Sequence, residues 1–353
     1  MQPTRNPQRR HRKQLLGGGA AAAMLLTGCG FVTGDSGDSG GGECRDQTLR
    51  LATIRSEDDP TTLGATAFAE GVATATDGQI TVEVYPNSQL GDANDLYAGV
   101  AAGDNLDMFY EGISTYSTLA GAEAFTVTTV PFLWEDYEQF DAVLRSDRYA
   151  ELLEEAADAT GARVVAIGGF GEPRALSANR AITTADDMAG LKLRIADAPL
   201  PQEFAKALDA QPQVVALSDL YFSLRQGVVE AQENGAITMV NQSLMEVQEY
   251  YMPIDYILDI RVWYFTDSTW QSICSEHQDV IRAEAEKAGQ ITTDETDEQM
   301  QEAMATLEEH LTVVDVDVDS FREALDGAFE QFDGELWPEG LLEETRALAS
   351  ENS

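Results

Sequence analysis

Three cysteines, three histidines and four tryptophans are all that 353 residues provide, and Lys and Arg number 22 against 62 Asp and Glu. The shortage of cations excludes nucleic acid as a partner, because a phosphate backbone is held by Lys and Arg and this chain has a formal charge of −40. The shortage of histidine restricts metal chemistry: His11 lies in the leader, His277 and His310 sit in helix-forming surroundings, and no HExxH occurs. GxSxG, P-loop and Rossmann glycine patterns are also absent, so no nucleophile with a base and no nucleotide cradle can be assembled. The chain therefore reads as a non-enzyme without cofactor or metal.

What is present begins with an address. Arg9, Arg10, Arg12 and Lys13 precede an apolar run from Leu15 to Leu26, too short to span a bilayer. A signal peptide over 1–28 is expected, and Leu26-Thr27-Gly28-Cys29 resembles the lipobox of bacterial lipoproteins, in which the cysteine thiol is acylated. The alternative is an ordinary cleaved signal with an incidental cysteine. The Arg9-Arg10 pair does not decide between export routes. Residues 29–45 form the lipidated Cys29 and a Gly/Ser/Asp tether, too polar to fold.

Removing the leader, with five Lys/Arg and no acidic residue, takes the remainder to about −45. A Debye length of about 3 Å at molar salt screens such self-repulsion, so the surface suits a salt-rich, halophilic habitat. Calcium is the competing explanation for the acids. Its one lead, Asp315-Val-Asp317-Val-Asp319, lacks the glycine and glutamate of an EF-hand loop and reads as a half-buried strand leading to a helix cap near Asp319. With Cys29 assigned to lipid, Cys44 and Cys274 either pair or remain two structural thiols.

Apolar or alternating runs at Leu49–Ile54, Ile80–Tyr85, Leu106–Tyr110, Arg163–Ile167, Leu191–Ile195, Gln213–Leu217 and Arg261–Phe265 are separated by helical patterns. That alternation predicts an α/β architecture in which ligands sit at the carboxyl ends of strands. Asp279–Leu311 has no proline and one glycine, which predicts one long helix crossing between two lobes. Gly168-Gly169-Phe170-Gly171 follows a strand without opening a helix and reads as a crossover or hinge.

The segment from Arg174 to Ile195 carries the most chemistry. Leu191, Leu193 and Ile195 alternate with Lys192 and Arg194, giving one apolar and one cationic face. Alternation alone describes a solvated edge strand. Together with Pro86-Asn87-Ser88-Gln89-Leu90-Gly91, Val130-Pro131-Phe132-Leu133, the phrase Gln226–Asn234 and Met245-Glu246-Val247-Gln248-Glu249-Tyr250, however, the segment resembles the DctP-type substrate-binding proteins of TRAP transporters, over residues 48–345.

The resemblance implies a two-lobed, periplasmic-binding-protein-like α/β fold with a hinge and a long inter-lobe helix. Lobe I would comprise 46–171 plus 260–299, and lobe II 172–259 plus 300–353. Such a protein closes on a small carboxylate and delivers it to paired membrane subunits driven by an ion gradient. The family arginine that pairs with the carboxylate matches Arg194; Arg174 and Asn234 match two further site positions. Guanidinium offers a planar fork that fits a carboxylate bidentately, and an amide both donates and accepts. For Arg174 a hinge role, paired with an acid, stays open. Arg55, Glu57 and Glu111 follow strands where ligand contacts are common, or are loop charges. Leu217 replaces an aromatic seen in sialic-acid-binding members, and a hinge histidine is replaced around Asp255. Trp263 and Tyr264 are either a stacking wall or core. A C4-dicarboxylate, sugar acid, keto acid or zwitterionic solute all remain open as ligands. Competing readings are an ABC-type receptor, a ligand-presenting partner of a sensor and, less favoured, a secreted enzyme.

Overall fold

The computed structural model describes residues 44–103 and 105–352. The expected signal peptide, Cys29 and most of the tether lie outside the described residues. Among those described, the strands form two sheets. The first contains β1 (Gln47–Ala52), β2 (Ile80–Tyr85), β3 (Met108–Gly112), β4 (Ala162–Phe170) and β10 (Ile260–Thr266), in the order β2-β1-β3-β10-β4. The second contains β5 (Leu176–Ala178), β6 (Lys192–Ile195), β7 (Gln211–Val214), β8 (Ala231–Gln232), β9 (Tyr250–Met252) and β11 (Thr312–Val313), in the order β11-β9-β5-β8-β6-β7. This is the mixed α/β, two-lobed fold that the sequence predicts. Strands β5, β8, β9 and β11 were not anticipated: each has two or three residues, too few to show a period of two, and depends on its tertiary partners.

Within each sheet the neighbours β1, β2 and β3, and β6, β7 and β8, run parallel, while β10 and β5 run antiparallel to their partners. The carboxyl ends of the parallel strands and the amino ends of the antiparallel ones therefore share one edge of each sheet.

The chain passes between the sheets after β4 and after β9. These two crossovers pair with each other: Gly171 N donates to Asp259 O at 2.9 Å and Arg174 N to Ile257 O at 2.9 Å. The third connection is the helix Ser275–His310, 36 residues and roughly 54 Å at about 1.5 Å per residue. Ile281, Ala285 and Ala288 belong to the core beneath the first sheet, and Ala303 and Leu307 to a core of the second. Its single glycine, Gly289, has a physical reason, since a Cβ there would sit 2.8 Å from the Gly168 carbonyl carbon. Helix and β4 approach closely at that point, and Thr293 Oγ1 accepts from Phe170 N at 3.0 Å while Thr296 Oγ1 donates to Phe170 O at 2.9 Å. The glycine-rich phrase thus ends β4 and enters the first crossover at Gly171, and it is pinned there to the long helix.

Trp263 and Tyr264 are core rather than a stacking wall. Both are fully buried, and Trp263 stacks on Tyr110 at 3.7 Å and packs on Phe68 at 4.4 Å. Burial of each such ring contributes on the order of 2 kcal/mol. Two further expectations need correction. Asp315–Asp319 is not a strand: β11 ends at Val313, and Asp317 caps the helix Val318–Leu325 by accepting from Ser320 N. The C-terminal helix Leu341–Glu351 packs against helices beside the first sheet, with Thr345 Oγ1 and Tyr149 OH 2.8 Å apart and Arg148 paired to Glu344 at 3.0 Å, although residues 300–353 had been assigned to the second lobe. Its buried face, which includes Leu342 and Ala349, finds its apolar partners there.

Cys44 and Cys274 are joined by a disulfide. It ties the residue that leads into β1 to the residue that precedes the long helix.

Candidate functional site

The facing edges of the two sheets enclose a cleft of about 180 Å³. Its buried lining is charged, and its exposed lining carries Asp92, Asn94, Asp197 and Ser218 beside the apolar Val214. From the first sheet, Arg55 follows β1 and Glu111 is the penultimate residue of β3; from the second, Arg194 lies in β6 and Asn234 follows β8.

Behind the first wall is a closed ion cluster. Arg55 Nε and Nη2 donate to the two oxygens of Glu111 at 2.9 and 2.8 Å. Arg261, one register step away on β10, reaches Glu111 at 2.9 Å and Asp259 at 3.1 Å. Asp259 also accepts from Ser114 N and Oγ, at 3.1 and 2.8 Å. Gly112 permits this arrangement, because a Cβ there would lie 1.8 Å from Asp259 Oδ2. Burial alone would raise the Glu111 carboxyl, but Arg55 and Arg261 overcome it and hold the group at about 2. Burial pushes the Asp259 carboxyl up, against the pull of Arg261.

The second wall is built differently. Glu233, fully buried, takes Arg174 through both carboxylate oxygens and accepts from Tyr256 OH at 2.8 Å. Arg174 Nη2 lies 3.4 Å from Asn234 Oδ1, and Asn234 is itself oriented by Gln232 Oε1, which accepts from its Nδ2 at 2.7 Å. Burial opposes the charge on Arg174, yet its pairing with Glu233 raises it above the usual arginine value.

Arg194 lacks such a partner. It is 4 % exposed, its Nε donates to Val215 O at 2.8 Å, and its nearest carboxylate oxygen, on Glu233, stands 3.9 Å from Nη1. No other hydrogen bond from this guanidinium is found among the described residues. Burial, assisted by repulsion from Arg174 and Arg55, pushes it down to about 10, and Glu233 offsets only part of that. A buried cation with an unmatched fork of donors is a site prepared for an anion from outside.

Residues 51–335 match the family described as bacterial extracellular solute-binding protein, family 7, DctP. A solute-binding protein of Roseobacter denitrificans is 30 % identical over 284 residues, 79 % of this chain and 85 % of that one. The chain belongs to the DctP family. Another DctP-family relative, the C4-dicarboxylate-binding periplasmic protein of Rhodobacter capsulatus, is 32 % identical over 57 % of this chain and 60 % of its own. A solved TRAP periplasmic solute binding protein from Roseobacter denitrificans, with bound L-galactonate, superposes with a TM-score of 0.78 at 27 % identity, covering 88 % of this chain and 99 % of that one. These relatives are named for solute binding, and the Rhodobacter capsulatus protein and the solved Roseobacter denitrificans protein also for the periplasm.

Of the residues singled out from the sequence of this DctP-family member, Arg194, Arg174, Asn234, Arg55, Glu111 and Leu217 all line the cleft. Glu57 does not: it is exposed on the turn before the helix Pro60–Ala75. Asp255 stands exposed on the second crossover, outside the cleft. Sequence reasoning missed Glu233, Tyr256, Asp259 and Arg261 as members of the charge network. Arg261 left one trace, a lone cation entering the apolar run Val262-Trp263-Tyr264-Phe265, which signals a buried ion pair.

Proposed function

We propose that this DctP-family protein captures the carboxylate of a small organic acid between its lobes, with Arg194 as the clamp. Asn234 and Arg174 orient the ligand, Leu217 lines the same wall, and Arg55 and Glu111 shape the opposite one. The unmatched, desolvated guanidinium of Arg194 carries this reading. Lobes 46–171 plus 260–299 and 172–259 plus 300–340 close about the paired crossovers, expelling water and strengthening the ion pair. The filled protein then delivers its ligand to TRAP membrane subunits for ion-gradient-driven uptake. It acts as a receptor and not as an enzyme. The binding of L-galactonate by a 27 % identical relative supports an acid of about that size.

In the same reading, residues 1–28 direct export and Cys29 is lipidated, anchoring the domain to the cell membrane through the tether. The acidic surface, −40 over the whole chain, is an adaptation to salt. Isothermal calorimetry of carboxylates against the ligand-free protein tests the central claim: binding lost in Arg194→Ala supports it, and binding of equal affinity by that variant overturns it. Unfolding across a salt series tests the surface, since a halophilic protein loses stability as salt is withdrawn. Mass spectrometry of the membrane fraction after Cys29→Ser tests the anchor.

A further inference from the structure

Four guanidiniums, Arg55, Arg174, Arg194 and Arg261, stand in or directly behind the floor, and three carboxylates, Glu111, Glu233 and Asp259, are paired to them. Arg55 and Arg261 are matched by Glu111 and Asp259, and Arg174 is matched by Glu233. Arg194 is the one guanidinium of the four without a hydrogen-bonded carboxylate. Glu172 and Asp59, the other carboxylates near Arg55, accept instead from backbone and hydroxyl donors, Glu172 from Ile237 N and Thr238 and Asp59 from Thr61 N.

The rim has the opposite sign. Asp197, two residues beyond β6, and Asp92, which caps the helix Ala93–Ala102, both line the cleft and both are exposed. Asn94 Nδ2 donates to Asp197 Oδ2 at 3.0 Å, a bond that joins the two walls across the opening. Between floor and rim the wall offers hydroxyls, from Ser114, Thr115 and Thr118. No cation other than the four arginines of the floor lines or backs the cleft among the described residues.

From this gradient we infer that the ligand is a hydroxylated monocarboxylate, held by its one carboxylate at the floor, and that Asp92 and Asp197 reject acids with a second carboxylate at the far end. The inference rests on the carboxylate reading of the site and adds the ligand's net charge and the residues that enforce it. A second carboxylate directed at the rim would meet two anions and no cation, and close juxtaposition of like charges costs several kcal/mol. A neutral polyol end instead finds acceptors in Asp92 and Asp197 and in the wall hydroxyls, whose own protons go to Asp259, to Thr115 O and to Gly112 O or Tyr97.

The probes are pairs that differ at one carbon. D-Galactonate and galactarate share chain length and configuration, and differ in a primary alcohol against a carboxylate at C6; gluconate and glucarate form a second pair, and galactitol is the neutral control. Calorimetry in 0.15 M salt is expected to show the monoacid of at least one pair binding about 30-fold or more tightly than its diacid, with galactitol not binding. Asp197→Asn, which keeps an acceptor for Asn94, and Asp92→Asn, which keeps a helix cap, are each expected to narrow that gap by tightening the diacid. Thermal melts of both variants verify folding. A diacid that binds the wild type as tightly as its monoacid overturns the inference while leaving the carboxylate reading standing, as does a gap that neither variant changes. Galactitol binding as well as the acids, or no acid of either pair binding, overturns both.

Discussion

On the first sheet two arginines face two carboxylates, whereas on the second two arginines share one. Arg55 and Arg261 close on Glu111 and Asp259 with every charged group hydrogen-bonded. Arg174 takes up Glu233, and Arg194 is left with one carbonyl and a carboxylate 3.9 Å away. Both clusters are buried at the edge of a parallel segment of sheet, so neither burial nor residue type distinguishes them. The difference lies in the count of charges. A matched cluster is finished on folding, and an unmatched one is, in the reading proposed above, finished by a ligand.

The comparison can be broken most severely at Glu111. Glu111→Gln leaves two buried arginines with a single acid between them, and losing one member of a buried ion network costs about 3–5 kcal/mol. Denaturant unfolding without ligand is expected to show that loss; a change within about 0.5 kcal/mol would mean that the first cluster is not the structural one. The same residue sets a pH dependence. Its carboxyl is held at about 2 in the folded protein against an ordinary 4.5. In that interval the unfolded chain binds the extra proton, so stability from Glu111 is fully present above about 4.5 and is lost as pH falls toward 2. The contribution is on the order of 3 kcal/mol. The stability gap between wild type and Glu111→Gln should therefore close progressively on acidification through that window, and a gap that widens there would reverse the sign.

Arg194 should respond in the opposite manner. Arg194→Ala is expected to cost at least about 2 kcal/mol of ligand binding, roughly 30-fold, since charge-assisted hydrogen bonds are lost and the ligand's charge is left unpaired. Its ligand-free unfolding midpoint should hold or rise, because the variant removes a desolvated cation that has no full partner. A loss of ligand-free stability as large as that of Glu111→Gln would make the second cluster structural like the first. The smallest effect is expected at Glu57, exposed and outside the cleft: Glu57→Gln should alter stability and affinity by less than about 0.5 kcal/mol. A larger loss of affinity would extend the site to that turn.

Much of this was legible before the fold was known, for identifiable reasons. Strands of four or more residues announced themselves through alternation, and the 36-residue helix through its composition. The alternation of Leu193 and Ile195 with Arg194 put a cation on one face of β6, at the strand end where α/β sheets bind ligands. Illegible elements were those whose cause is not local. The two- and three-residue strands exist because a neighbour supplies hydrogen bonds, and the Val/Asp alternation at 315–319 was overruled by a helix cap at Asp317. The C-terminal helix followed its apolar face to the first sheet rather than its neighbours in the chain.

Sequence by itself determined the α/β class through periodicity and, through phrases that resemble the DctP family, the kind of protein and the arginine proposed as its clamp, because these are properties of residues in order. It pointed to Arg194 as the carboxylate-binding arginine and left a hinge role, paired with an acid, open for Arg174, without identifying that acid. Only the tertiary structure decided that, since Glu233 lies 59 positions from Arg174 and 39 from Arg194, and chain folding brings its carboxylate into full contact with the first and leaves it short of the second. Electrostatic pairing depends on separation in space, to within a fraction of an ångström, and residue order does not encode that distance.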